Sequence, residues 1–331
     1  MSQQDRVVII GGTGFIGQHL VSQLRGNVQS ITVVSRSSAA YASNETCHYT
    51  TGDVADGDRM LQVLKGASVV YYLALTMEDD FGVGARNVAV ACLRHGIRRL
   101  IFASSTDALY LGRNGSIDER AGADPKPHLR NPYSRGKVKS EKVLLELHAA
   151  HALPVVILRP GLVVGRGGKL AHGGMGTWKT PTGLLGWGNG NNPLPFVLVQ
   201  DVAAAMALTM DAADVDGQAF NLGGDVFLSA REYVRLASEK TLRDFRFYPQ
   251  SLWRLYAIAL AKSAIKWVLR RSFERQTYRD MVSQGMYSQI DNRAAKELLG
   301  WKPNADLQVF IREAIEIHAE PIPKGDLRLG P

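Results

Sequence analysis

Tyr133 and Lys137 are the pair in this 331-residue chain whose types and spacing could do chemistry together. Four apart, they project from one face of a helix. A phenol with a pKa near ~10 is a weak base at neutral pH, and a nearby ammonium stabilises its phenolate. Such a pair can exchange a proton with a hydroxyl or a carbonyl. The same spacing also occurs by chance on many helices, so the pair needs a context. Upstream, Ser104-Ser105-Thr106-Asp107 follow an apolar run directly. Their hydroxyls could hold a reacting oxygen, or simply form a cap or turn.

The elements that must position these residues begin at Arg6. Val7 to Ile10 read as a strand buried on both faces, ending abruptly in Gly11-Gly12-Thr13-Gly14-Phe15-Ile16-Gly17, and Gln18 to Leu24 has helical spacing. Gly11 suits a tight turn, Gly14 lets backbone approach a pyrophosphate, and Gly17 lets helix and strand pack closely. With a strand before and a helix after, the stretch is a dinucleotide-binding turn, Thr13, Phe15 and Ile16 included. Ser30 to Val34 is a second strand, running into Ser35 and Arg36. An NAD site usually places a carboxylate here, whereas an arginine can pair with a 2′-phosphate. NADP is therefore favoured over NAD.

Further strands are expected at Cys47 to Val54, Ser68 to Ala74 and Arg98 to Ala103, with helices at Met60 to Lys65 and Asn87 to His95. Asp53 and Val54 are placed beside the adenine. Leu73 and Ala74, at the carboxyl end of their strand, should lie beside the cofactor. This alternation predicts an α/β fold with a doubly wound parallel sheet.

The bulk composition agrees with an ordinary globular protein, 45% hydrophobic and 21% charged. No leader and no membrane span are expected. Two cysteines, Cys47 and Cys92, lack paired-ligand spacing, which suits a reducing cytoplasm. A dinucleotide is itself polyanionic, so the net charge of +8 calls for no nucleic acid. Metal binding has no support, because nothing near His148 and His151 completes a ligand set.

Together these pieces resemble the extended short-chain dehydrogenase/reductase superfamily, in its NAD(P)-dependent epimerase/dehydratase branch. The glycine spacing, Arg99 to Thr106, and Asn131-Pro132-Tyr133-x-x-x-Lys137 occur in that superfamily's order. Leu158-Arg159-Pro160-Gly161, Phe196 to Ala203, Gln218 to Gly223 and Ala294 to Pro303 extend the likeness over nearly the whole chain. The resemblance implies a Rossmann domain over 1–165, with 196–222 returning to it, and a substrate-binding cap from 166–195 and 223–331. It implies that Tyr133 is the general acid/base while hydride moves to or from a nicotinamide. Lys137 would lower the pKa of Tyr133 and hold the ribose. Thr106 would bond the reacting oxygen, with Ser105 as the fallback, and Pro160 would line the cofactor. Dimerisation through a helix pair including the Tyr133 helix is implied as well.

The chain also departs from the pattern. Phe81 stands where relatives often have an asparagine, and Asp107-Ala108 replaces the Asp-Glu of sugar-nucleotide dehydratases, which argues against dehydration. The expected activity is oxidoreduction or epimerisation at a secondary alcohol or ketone, foremost of a nucleotide sugar. The rivals are a reductase or dehydrogenase of an apolar hydroxy compound and a non-catalytic NADP-binding regulator.

On the substrate side, Gly165 to Asn192 reads as a long irregular loop. Arg166, Lys169 and Lys179 could meet a diphosphate there, and Trp178 and Trp187 could stack on a ring. Residues 252–271 form a basic amphipathic helix that is either part of the cap or a contact with a membrane surface.

Overall fold

A computed structural model describes residues 4–37, 42–74, 82–270 and 276–319. Seven parallel strands form the central sheet: β1 (Arg6–Ile10), β2 (Ser30–Ser35), β3 (Cys47–Thr51), β4 (Val69–Tyr72), β5 (Arg99–Ala103), β6 (Val155–Pro160) and β7 (Ala219–Leu222). Their order is β7-β6-β5-β4-β1-β2-β3, so the chain winds outward from β1 in one direction and then in the other. The doubly wound α/β fold expected from the sequence is the one observed. Such a reversal opens a crevice at the carboxyl ends of β1 and β4.

The continuous apolar run of β1 follows from burial on both faces. Val7 and Ile9 pack with Leu20 and Leu24 of α1 (Phe15–Leu24), whereas Val8 and Ile10 face the opposite core. That core includes Val88 and Ala89 of α3 (Val83–His95) and Leu144 of α4 (Pro132–His151); α2 (Gly57–Val63) lies on the same side. α3 begins a turn earlier than the spacing predicted, and β3 ends earlier, at Thr51. A Cβ on Gly52 would lie 2.8 Å from Val34, and the Asp53 carboxylate then accepts the Ala55 N–H, turning the chain.

After α5 (Val199–Thr209) the chain forms α6 (Ala230–Thr241), α7 (Leu252–Val268), α8 (Tyr278–Gln284), α9 (Arg293–Leu299) and α10 (Leu307–Ala314). A second core joins α6 and α10 to Leu162, Leu184 and Phe196. The stretch expected as an irregular loop instead contributes two strands, Gly176–Trp178 and Gly183–Gly186, which pair with each other, and the second also pairs with Arg246–Tyr248. Its glycines make room for Phe247, since a Cβ on Gly186 or Gly190 would lie 2.0 or 2.2 Å from that ring. Ala295, Leu299 and Trp301 return to the core beside α1 and the sheet, and the Trp301 indole donates to the Asp201 carbonyl.

Candidate functional site

β1 is held between β2 and β4, so the chain leaving Ile10 must turn at once. Gly11 does so at φ +84°, and a Cβ there would lie 2.8 Å from the Ala74 amide nitrogen. At Gly17 a Cβ would lie 2.5 Å from the Gly12 Cα, so α1 packs directly on the turn. Gly14 has a different reason. Its Cβ would meet only the Gly11 carbonyl oxygen, at 3.3 Å, and would otherwise fill open space at the N-terminus of α1. No side chain caps that end. Bare backbone, free N–H groups and a positive dipole end fit a pyrophosphate.

The other residues expected at the cofactor ring the same edge of the sheet. The Thr13 carbonyl accepts from Gln18, Phe15 stands edge-on to His19, and Ile16 packs into the core. The Leu73 amide donates to the Ile10 carbonyl, which brings Ala74 against Gly11. At the end of β2 the Ser35 hydroxyl donates to the Ser37 carbonyl, and Arg36 is exposed. Asp53 is exposed and Val54 buried. Asn87, to which the sequence reading gave no role, secures that turn by donating to the carbonyls of Val54 and Ala55. Pro160 is buried at the end of β6, and Phe81 lies outside the described residues.

Across the crevice, α4 starts at Asn131, whose side chain accepts the Ser134 N–H. Tyr133 and Lys137 come together on this helix. The Lys137 ammonium donates to the Ala103 carbonyl at 2.6 Å and lies 5.0 Å from the Phe102 ring centroid and 5.8 Å from that of Tyr133. Burial pushes its pKa down to about 8, with the Glu141 carboxylate opposing. Burial raises the Tyr133 phenol above its ordinary value, Asp107 adds to the rise, and a hydrogen bond with Ser105 opposes it. Lys137 is thus committed to Ala103, and Ser105 is the neighbour that favours the phenolate. Ser105 also caps the short turn Thr106–Ala108 by accepting the Asp107 N–H. Thr106, the hydroxyl first expected at the reacting oxygen, is only 2% exposed.

Two buried networks hold this arrangement, and the sequence reading missed both. Glu141, one turn beyond Lys137, pairs with both ends of the Arg159 guanidinium at 3.0 and 2.7 Å and accepts from Ser104. Its spacing of four from Lys137 was the available signal. The other network centres on Arg130, whose fully buried side chain meets Asp107 at 3.3 Å and Asp124 and Asp280 at 3.0 Å. Asp280, on α8, also accepts from the backbone and side-chain nitrogens of Asn131. α8 therefore grips the start of the helix bearing Tyr133.

The cations expected to converge are separated. Lys179 lines a cavity of about 520 Å³ with Trp187, Leu255, Ile258, Lys262 and Met281, among others. Arg166 is not part of that lining, and its carbonyl accepts from His19 of α1. Lys169, too, is absent from the lining and is exposed. Trp178 is edge-on to Phe245 and donates to the His172 carbonyl, whereas Trp187 faces the cavity. His148 bonds the Leu153 carbonyl at the end of α4.

Comparison with known proteins agrees with this geometry. Mouse sterol-4-alpha-carboxylate 3-dehydrogenase, decarboxylating, is 23% identical over 96% of this chain and 91% of its own length. The 2-alkyl-3-oxoalkanoate reductase of Stenotrophomonas maltophilia is 26% identical over 69% of this chain and 73% of its own. The solved UDP-glucose 4-epimerase of Thermotoga maritima superposes with a TM-score of 0.70 at 20% identity, over 95% of this chain and 98% of that one. The profile of one family spans residues 7–223, from the first strand of the sheet to just past the last, and the chain belongs to it: the NAD dependent epimerase/dehydratase family of oxidoreductases, epimerases and dehydratases.

Proposed function

We propose that this protein is an NADP-dependent reductase or dehydrogenase acting at a secondary alcohol or ketone of an apolar, acidic compound. The cavity beside α7 carries this reading. Its volume suits a small-molecule ligand, and its walls are mainly apolar, from Leu185, Trp187, Leu255, Ile258, Ile265 and Met281. Lys179, Lys262 and Lys266 line it with no carboxylate among the described residues of the wall, which suits an anionic group on an apolar body. The names of two curated relatives, a sterol carboxylate dehydrogenase and an oxoalkanoate reductase, describe substrates of that kind. A nucleotide sugar, expected first from the sequence, demands more hydrogen-bonding groups than Thr177, Ser263 and Gln276 add to these lysines.

Gly14 and the first turn of α1 would hold the pyrophosphate, and Arg36 the 2′-phosphate. When bound, the cofactor supplies or accepts the hydride. Tyr133 gives its proton to the ketone oxygen in reduction and takes one from the alcohol in oxidation. Its raised pKa keeps it protonated at neutral pH, which favours the acid role. Ser105 bonds the phenol and can bond the same substrate oxygen. Lys137 keeps two N–H donors beyond its bond to Ala103 with which to hold a ribose.

The test titrates wild type and Arg36→Ala with NADPH and NADH by fluorescence. The loaded proteins are then offered 2-alkyl-3-oxoalkanoates, sterol carboxylates and UDP-sugars. A preference for NADPH that disappears in Arg36→Ala, with turnover of the apolar acids, is expected. Tight NADH binding indifferent to Arg36 refutes the NADP assignment, and turnover of UDP-sugars alone refutes the substrate assignment.

A further inference from the structure

Among the described residues, seven of the thirteen large apolar side chains that stand exposed lie between Trp253 and Leu269. Of the 17 residues of α7, only Leu252 is buried. Leu255, Tyr256, Ala259 and Ser263 are half-buried and recur at helical spacing, so they mark the side facing the body. At 3.6 residues per turn, the side away from them presents Trp253, Leu260, Ala264, Ile265 and Val268. Trp267, 72% exposed, flanks that side, and Val268 is 70% exposed. A surface helix normally turns its apolar stripe inward. Here apolar side chains face outward as well as inward, and a contiguous exposed patch of that kind marks a contact.

Charge identifies the partner. Residues 251–270 contain Arg254, on the outward side, Lys262 and Lys266, which line the cavity, and Arg270, with no Asp or Glu. A second copy of this chain docking through the same face would set like charges against each other, which is costly. An anionic bilayer complements them, and tryptophans suit the headgroup level. No helix among the described residues is long and apolar enough to cross a membrane, so α7 would lie in the interfacial plane.

We propose that α7 seats this protein on the surface of anionic bilayers. Ile265 belongs both to this face and to the wall of the cavity, with the exposed Ile258 and Leu269 at the edge between them, so docking places that edge of the cavity against lipid. An apolar ligand then passes between bilayer and cavity without crossing bulk water. The seating of α7 stands apart from the substrate reading, and only the passage of a ligand into the cavity rests on it.

The experiment is vesicle co-sedimentation of the full chain. Vesicles are phosphatidylcholine alone, or phosphatidylcholine with about a third phosphatidylserine, a strongly anionic surface. Wild type should pellet with the anionic vesicles and release as salt rises. Arg254→Ala should bind about fivefold more weakly, the worth of one cation near such a surface. Trp267→Ser with Val268→Ser should bind at least about tenfold more weakly, from the apolar area withdrawn. Unchanged NADPH binding by both variants shows that they are folded. Failure of wild type to pellet with anionic vesicles, or variants that bind like wild type, would overturn the proposal. So would light scattering that finds a dimer split by Val268→Ser, since a second copy would then cover this face.

Discussion

Replacing Lys137 by methionine should make the protein more stable while abolishing its chemistry. The ammonium is 5% exposed, and its pKa falls from 10.5 to about 8. At roughly 1.4 kcal/mol per pH unit, charging it inside the fold costs about 3 kcal/mol at pH 7. The sign follows from proton binding. Between about 8 and 10.5 the unfolded chain holds a proton that the folded chain has released, so stability rises with pH across that window. Below about 8 the cost is fully present. Methionine removes that cost but forfeits the 2.6 Å bond to the Ala103 carbonyl, worth about 1 kcal/mol. Lys137→Met should therefore be about 1–2 kcal/mol more stable at pH 7, and about 1 kcal/mol less stable near pH 10.5. Urea unfolding of both proteins at the two pH values measures the difference, in which every other titrating group cancels. A variant less stable by the same amount at both pH values would refute the reasoning, because the buried ammonium would then cost nothing.

Other outcomes follow from the same geometry. Tyr133→Phe should lower kcat by about 10²–10⁴ with cofactor binding retained, as read by single-turnover kinetics and NADPH titration. Ser105→Ala should move the basic limb of the pH–rate profile upward, because it removes the bond that favours the phenolate. Thr106→Val should leave that limb in place; a shift in the Thr106 variant alone would reverse the two assignments. Gly14→Ala should weaken cofactor binding with little change in stability, since its Cβ meets only one atom, at 3.3 Å. Gly17→Ala, with a Cβ 2.5 Å from the Gly12 Cα, should instead lower the unfolding midpoint.

The parts of this protein legible in its sequence were those whose physics is local. The strand before Gly11, the turn and the helix after Gly17 follow one another in the chain, and so do Tyr133 and Lys137. The irregular reading of 165–192 failed for the opposite reason. Gly186 and Gly190 look like flexible loop residues until Phe247, some sixty residues later, is seen filling the space they leave. Thr106 and Ser105 are neighbours in the chain, and only the fold decides which of them meets the phenol. Glu141 stood at a readable spacing, but nothing in the sequence said that Arg159 would meet it.

Asp280 shows that α8 does more than pack against the body. Its carboxylate accepts from Arg130 and from both nitrogens of Asn131, while Arg130 also binds Asp107, whose charge raises the Tyr133 phenol. The next residue, Met281, lines the cavity beside α7. One short helix thus joins the cavity wall to the N-cap of the helix bearing Tyr133 and to a charge that tunes its phenol. Asp280→Asn leaves the side chain's size and an accepting oxygen while removing one of the three carboxylates that face Arg130. Asp107 and Asp124 still face Arg130, so the cost should fall below the roughly 3–5 kcal/mol of a buried ion pair broken outright. The loss should appear as a lower unfolding midpoint together with a shifted pH–rate profile. A lower midpoint with an unmoved profile would mean that α8 supports the fold without setting the phenol. A shift in both would make α8 part of the acid/base machinery, coupled through Arg130 rather than through any contact with Tyr133.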